Sequence, residues 1–157
     1  SVIYLAHNIM PLVWEQRPLT NLVIAGAAPD YKVQHLQSER IQVTGWVDDI
    51  SDYYAKSKVF VAPMQIGTGL QNKLLEAMAM KIPCVTSELA NNALGAVHDK
   101  NILIGKNAFD SATHIINLLQ NDQLYSNISE QGYTFVRQNY TWEGSVAILD
   151  KLLTSKT

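Results

Sequence analysis

The residues best suited to chemistry lie between positions 64 and 86. Gly67 and Gly69 flank Thr68 directly ahead of a run whose apolar pattern predicts a helix over about 70–80. Glycine admits positive φ and lets a ligand approach the backbone closely. A helix start offers unpaired N–H groups and the positive end of the peptide dipoles, so loop and helix together suit a phosphate or diphosphate. Lys73 adds a movable positive charge near the first turn. Taken alone, Gly-x-Gly fits a plain connecting turn equally well. It is not the dinucleotide fingerprint, which requires a third glycine where this chain has Asn72.

Glu76 sharpens the picture. Around it stand Leu74, Leu75, Ala77, Met78, Ala79 and Met80, so the helix is apolar on most faces and is expected to be buried. A carboxylate there is costly without a partner. One partner is Lys73, although lysine ahead of glutamate is the less favourable order along a helix. The other is a pair of ribose hydroxyls, which acidic residues hold in other nucleotide sites. Asn72, Lys73 and Glu76 share one side of the helix.

The elements around this segment alternate. Ile3, Ala6, Ile9, Met10 and Val13 predict an opening helix to about residue 16, stopped by Pro18. Short β-rich runs follow at 22–25, 41–44, 59–62, 84–86 and 102–104. The first reads as a strand buried on both faces. Helices are expected at about 31–38, 48–56 and 70–80, and three more close the chain at about 108–119, 123–138 and 142–153. Strands alternating with helices predict an α/β domain with an open, mostly parallel sheet flanked by helices. No internal repeat or low-complexity linker divides residues 1–157, so the chain reads as one domain. Ligands of such sheets bind beyond the carboxyl ends of the strands. That directs attention to the segments after Gly26, Gly45, Pro63 and Thr86.

Composition narrows the classes. Apolar residues make up 47% and charged residues 17%, enough for a packed core. Twelve Lys+Arg against fourteen Asp+Glu give a net charge of −2, and no electrostatic reason to expect a nucleic-acid partner. No apolar run is long enough to span a bilayer. The single cysteine, Cys84, lies in an apolar stretch and reads as a core residue. His7, His35, His98 and His114 lack metal-ligand spacing, and no metal is expected.

The stretch from Gly67 through Leu74-Leu75-Glu76-Ala77-Met78-Ala79 to Ile82-Pro83-Cys84-Val85-Thr86 resembles the core motif of the group 1, family 4 retaining glycosyltransferases. Leu22-Val23-Ile24-Ala25-Gly26, Val43-Thr44-Gly45-Trp46-Val47, Tyr53 to Pro63, Asn101 to Gly105 and Tyr140-Thr141-Trp142-Glu143 fit as well, so the resemblance covers most of the chain. It implies the C-terminal, Rossmann-like half of a two-domain GT-B enzyme. This half binds a nucleotide-sugar donor, and no cofactor or metal is needed. By resemblance, Gly67, Thr68, Gly69, Leu70 and Lys73 meet the diphosphate and Glu76 holds the ribose. Gly26, Gly45, Trp46 and Asn72 line the base or cleft. The acceptor, a glycan or lipid-linked sugar, belongs to an N-terminal domain expected before Ser1, together with the first strand of this half. That leads us to expect no transfer activity from residues 1–157 alone. Polysaccharide biosynthesis, a cytoplasmic location and peripheral association of the full-length protein with the inner face of a membrane are family-level expectations.

The sequence departs from the family pattern at one point. Many members carry a second glutamate eight positions before the first, and Thr68 stands there in this chain. Through Lys73 the chain resembles a subgroup with Gly-x-Gly-x-x-x-Lys. No catalytic residue is assigned. The competing readings are a degenerate Rossmann-like interaction module and half of a sugar-nucleotide 2-epimerase. A receiver-type signalling domain fits poorly, because no acidic cluster follows the early strand ends. The opening helix is expected to expose apolar residues where the absent strand would pack.

Overall fold

The opening helix is interrupted in a way its apolar spacing does not reveal. In the computed structural model, which describes residues 1–67 and 69–140, α1 (Val2–Tyr4) passes through a π-helical turn, Leu5–Ile9, into α2 (Met10–Gln16). The Met10 N–H reaches the Leu5 carbonyl. Pro11 explains the shift: it has no N–H to continue the α-ladder, and its ring crowds the carbonyl four residues back.

The strands are β1 (Leu22–Ala25), β2 (Ile41–Gly45), β3 (Phe60–Ala62), β4 (Cys84–Thr86) and β5 (Leu103–Ile104). The helices that follow α2 are α3 (Tyr31–Gln34), α4 (Ser51–Lys56), α5 (Asn72–Ala79), α6 (Glu88–Leu94), α7 (Ala108–Gln120) and α8 (Asp122–Asn139). The α/β class and parallel pairing are as expected. Helix α6 is an element the sequence reading lacked, although its caps are visible: Ser87 accepts from the Ala90 N–H, and Gly95 closes it in the left-handed conformation. Helices α3 and α4 are shorter than expected. The helix expected at 142–153, with its Thr141 cap, lies outside the described residues, as does Thr68.

The expected single sheet is divided. β1 pairs with β2, β3–β4–β5 form a second sheet, and all pairings are parallel. The edges of β1 and β3 face each other across a slot lined by Leu22 to Ala25 on one side and Phe60 to Ala62 on the other. This corrects the reading of β1 as buried on both faces: Val23 borders the slot and stays exposed.

Side chains alternate between the faces of the second sheet, as the strand period of two requires. Phe60, Ala62, Cys84, Ile102 and Ile104 point into one core with Leu74, Met78 and Leu94. Val61, Val85 and Leu103 point into the other with Ile9, Val13, Ile115 and Leu118. Burial in the first core pushes the Cys84 thiol well above its ordinary range, so it is neutral and sulfhydryl-inert. The opening helix leaves Ile3 exposed and covers most of the rest of its apolar face. Leu5, Ile9, Met10 and Val13 are buried on the second sheet, and Ala6 packs with Leu36 and Ile41 beside the first. One helix thus bridges both sheets and covers one side of the slot, while α4 and the start of α5 supply Tyr53, Tyr54 and Leu74 on the other.

Candidate functional site

The slot and the space at its mouth form one cavity of about 860 Å³. Its lining includes Gly26, which follows β1, Trp46, which follows β2, and Met64, which follows β3, so it sits at the carboxyl ends of parallel strands. Ligands of parallel α/β sheets bind outside the carboxyl ends of the strands.

Four features of the loop after β3 build the site. Pro63 ends the strand, and the Met64 N–H turns back onto the Ala62 carbonyl at 2.9 Å. Ser87 Oγ donates to the Met64 carbonyl at 2.6 Å, and Thr86 Oγ1 donates to the Ala62 carbonyl at 2.8 Å, tying the ends of β3 and β4 together. Gly67 and Gly69 then take φ of +119° and +105°, which a side chain would strain. Finally, α5 begins after Gln71 with no side chain capping it, so its first N–H groups remain for solvent or a ligand.

Five of the sequence-predicted residues come together on the cavity: Gly26, Trp46, Asn72, Lys73 and Glu76. Gly67, Gly69 and Leu70 are exposed in the loop joining two lining residues, Met64 and Gln71, and do not line the cavity themselves. Gly45 ends β2 at φ +67° beside Trp46, outside the lining. Trp46 is exposed and presents an aromatic face at the mouth.

Within the chain, Glu76 is partnered not by Lys73 but by a residue of another helix. Among the described residues, no ion pair joins it to Lys73. Instead the Tyr54 hydroxyl donates to Glu76 Oε2 at 3.0 Å. Tyr54 is buried, and burial together with the neighbouring carboxylate pushes its phenol far above the ordinary range. Lys73 is exposed and forms no ion pair among the described residues. Its charge is therefore available to an anion at the start of α5. No group of histidine, cysteine and carboxylate side chains among the described residues is arranged to hold a metal ion. No helix among them is long and apolar enough to cross a membrane.

Fold and site together define an α/β domain with a cleft at the carboxyl ends of its parallel strands. The chain belongs to the glycosyl transferases group 1, whose family model matches residues 1–121. A Klebsiella pneumoniae protein, described as an uncharacterized 44.6 kDa protein in the cps region, is 24% identical over 149 residues, covering 89% of this chain and 38% of its own. HepE of Anabaena, solved with UDP and glucose, superposes with a TM-score of 0.76 at 15% identity, over 96% of this chain and 44% of HepE. TarM superposes with a TM-score of 0.77 at 18% identity, over 98% of this chain and 32% of TarM. The C-terminal domain of the group 1 glycosyl transferase LpcC from Francisella tularensis gives a TM-score of 0.71 at 20% identity, over 90% of this chain and 77% of that domain. These structural likenesses establish the fold. The chain spans less than half the length of the Klebsiella relative and of HepE.

Proposed function

We propose that this chain is the donor-binding half of a retaining glycosyltransferase that moves a sugar from a nucleotide-sugar to a glycan or lipid-linked acceptor. The observation that carries the reading is the meeting, on one cavity, of a half-buried carboxylate, an uncapped helix start with Lys73 beside it, and an exposed tryptophan. Glu76 takes the ribose hydroxyls, the α5 N–H groups and Lys73 take the diphosphate, and Trp46 meets the base. The UDP and UDP-glucose held by HepE, a protein of the same fold, support a nucleotide-sugar as the donor.

The arrangement suits departure of a diphosphate. As the sugar–phosphate bond breaks, negative charge grows on the leaving oxygen and positive charge on the sugar. Preoriented N–H donors, a helix start and a lysine stabilise the former. The acceptor binds against another part of the full protein. No metal or cofactor enters this scheme, and the work is cytoplasmic or at the inner face of a membrane.

The slot belongs to the same proposal. Two parallel edges facing each other across a gap, covered by helices on both sides, suit one more parallel strand. The strand expected ahead of Ser1 fits it, because Ser1 and Val2 themselves line the cavity at the carboxyl end of the sheet. A strand finishing there would run parallel to β1 and β3 and join them into one sheet.

A thermal-shift and calorimetric titration of the protein with UDP, GDP and ADP tests the reading. Stabilisation by one of them identifies the base, and no response to any contradicts the proposal. Lys73→Ala should weaken diphosphate binding about three- to tenfold at low salt. That loss should shrink as salt rises, because an exposed charge is screened beyond ~8–10 Å at physiological ionic strength.

A further inference from the structure

The geometry points to Tyr54 as a positioning residue that fixes the Glu76 carboxylate for a ribose. This inference rests on the donor-site reading above and adds to it a residue that touches no substrate in that scheme.

A glutamate has three side-chain torsions, and at a half-exposed position nothing in its own helix selects one orientation. Tyr54 does so from another element. It lies on α4, twenty-two residues before Glu76 on α5, and its hydroxyl donates to Oε2 at 3.0 Å. The phenol is itself held. Its ring is 6% exposed and packs 5.9 Å from the ring of Phe60 on β3. A fixed donor aimed at one carboxylate oxygen sets the plane and direction of the group. No other hydrogen bond reaches the Glu76 side chain among the described residues. A carboxylate offers about four lone-pair positions, and the phenol uses one of them. Oε1 and the remaining Oε2 lone pair stay free for two vicinal hydroxyls.

The chemistry of the donor fits the task. A phenol has one proton, so a Tyr54 hydroxyl bonded to Glu76 has none left to offer a ligand. Burial holds the phenol's proton more tightly than in water, and a neutral donor steadies the carboxylate without adding a counter-charge. A lysine in the same place would neutralise the charge that makes the carboxylate a strong acceptor. The contact therefore bears on a particular part of the ligand, the pair of ribose hydroxyls, and not on the diphosphate or the base.

Tyr54→Phe removes one oxygen and leaves the ring packing in place. The test compares UDP (or GDP or ADP, where the titration selects one of those) with its 2′,3′-dideoxy analogue, on the wild-type protein, Tyr54→Phe, Glu76→Gln and the double variant. Tyr54→Phe should weaken the ribonucleotide about tenfold and leave the dideoxy analogue unchanged. In the Glu76→Gln background, Tyr54→Phe should add little further loss, because the charge and the second acceptor oxygen that the phenol aims at the ribose are already gone. Equal weakening of both ligands by Tyr54→Phe, or no weakening of either, would overturn the positioning role. Glu76→Gln without effect on the ribonucleotide would instead overturn the donor-site reading of Glu76, which separates the two failures.

Discussion

Glu76→Gln should weaken nucleotide binding about a hundredfold or more and barely move the melting temperature. The side chain keeps its length, and its amide oxygen can still accept from the Tyr54 hydroxyl, so the contact between α4 and α5 survives. What is lost is the negative charge and one acceptor oxygen. The amide nitrogen would present a donor to a ribose hydroxyl where an acceptor is needed. Hydrogen bonds to a charged group contribute ~1.5–3 kcal/mol each, so weakening two of them reduces affinity by about a hundredfold or more. Glu76 is only half-buried and forms no ion pair among the described residues, so the folded state depends little on its charge. Calorimetric titration beside differential scanning calorimetry reads both quantities. A large fall in melting temperature with binding intact would make Glu76 a structural residue.

Leu74→Ala should give the opposite pattern, two positions earlier on the same helix. Leu74 is fully buried, in one cluster with Tyr54, Met78, Ile82 and Cys84. Truncating such a leucine costs about 3–5 kcal/mol, the transfer term plus the cavity left behind. Against a total stability of ~5–15 kcal/mol, that is a large fraction. At ~2–4 °C per kcal/mol for a chain of this size, the melting temperature should fall by about 6–20 °C. The denaturant midpoint should drop with its slope unchanged. The fraction that remains folded should still bind nucleotide, because the polar groups offered to the ligand come from Asn72, Lys73 and Glu76, while Leu74 is fully buried. A change below ~1 kcal/mol would mean that α5 is not anchored by this core.

These opposite outcomes from neighbouring residues show what the sequence could convey. The apolar run around Glu76 announced a buried helix, and the lone carboxylate in it announced a need for a partner. Both inferences hold. The partner's identity was out of reach, because it comes from α4 and its contact depends on how two helices meet across β3. Of the two candidates weighed from the sequence, the helix neighbour Lys73 gives way to a tyrosine from a different element, and the ribose remains the proposal. The glycines were legible for a simpler reason: Gly67 and Gly69 hold positive φ, a requirement that acts on the residue itself.

The same distinction explains the fold. The order and type of most elements follow from local periodicity, so β1 to β5 and α7 and α8 lie close to their expected positions. The division into two sheets could not be read locally. Val23 sits in an apolar run that looks doubly buried, yet its exposure is decided by what lies beside β1. Helix α6 was overlooked because it is short and mixed in character, although Ser87 and Gly95 mark its ends. The π-helical turn needed attention to Pro11 inside an otherwise regular apolar pattern.

The most direct measurement is a backbone amide NMR titration of the isotope-labelled protein with UDP. A donor site predicts saturable shifts concentrated at Gly26, Trp46, Gly67 to Leu70 and Asn72 to Glu76, with the α5 start moving most, and their loss in Glu76→Gln. Shifts gathered elsewhere, or unchanged by Glu76→Gln, would contradict the account.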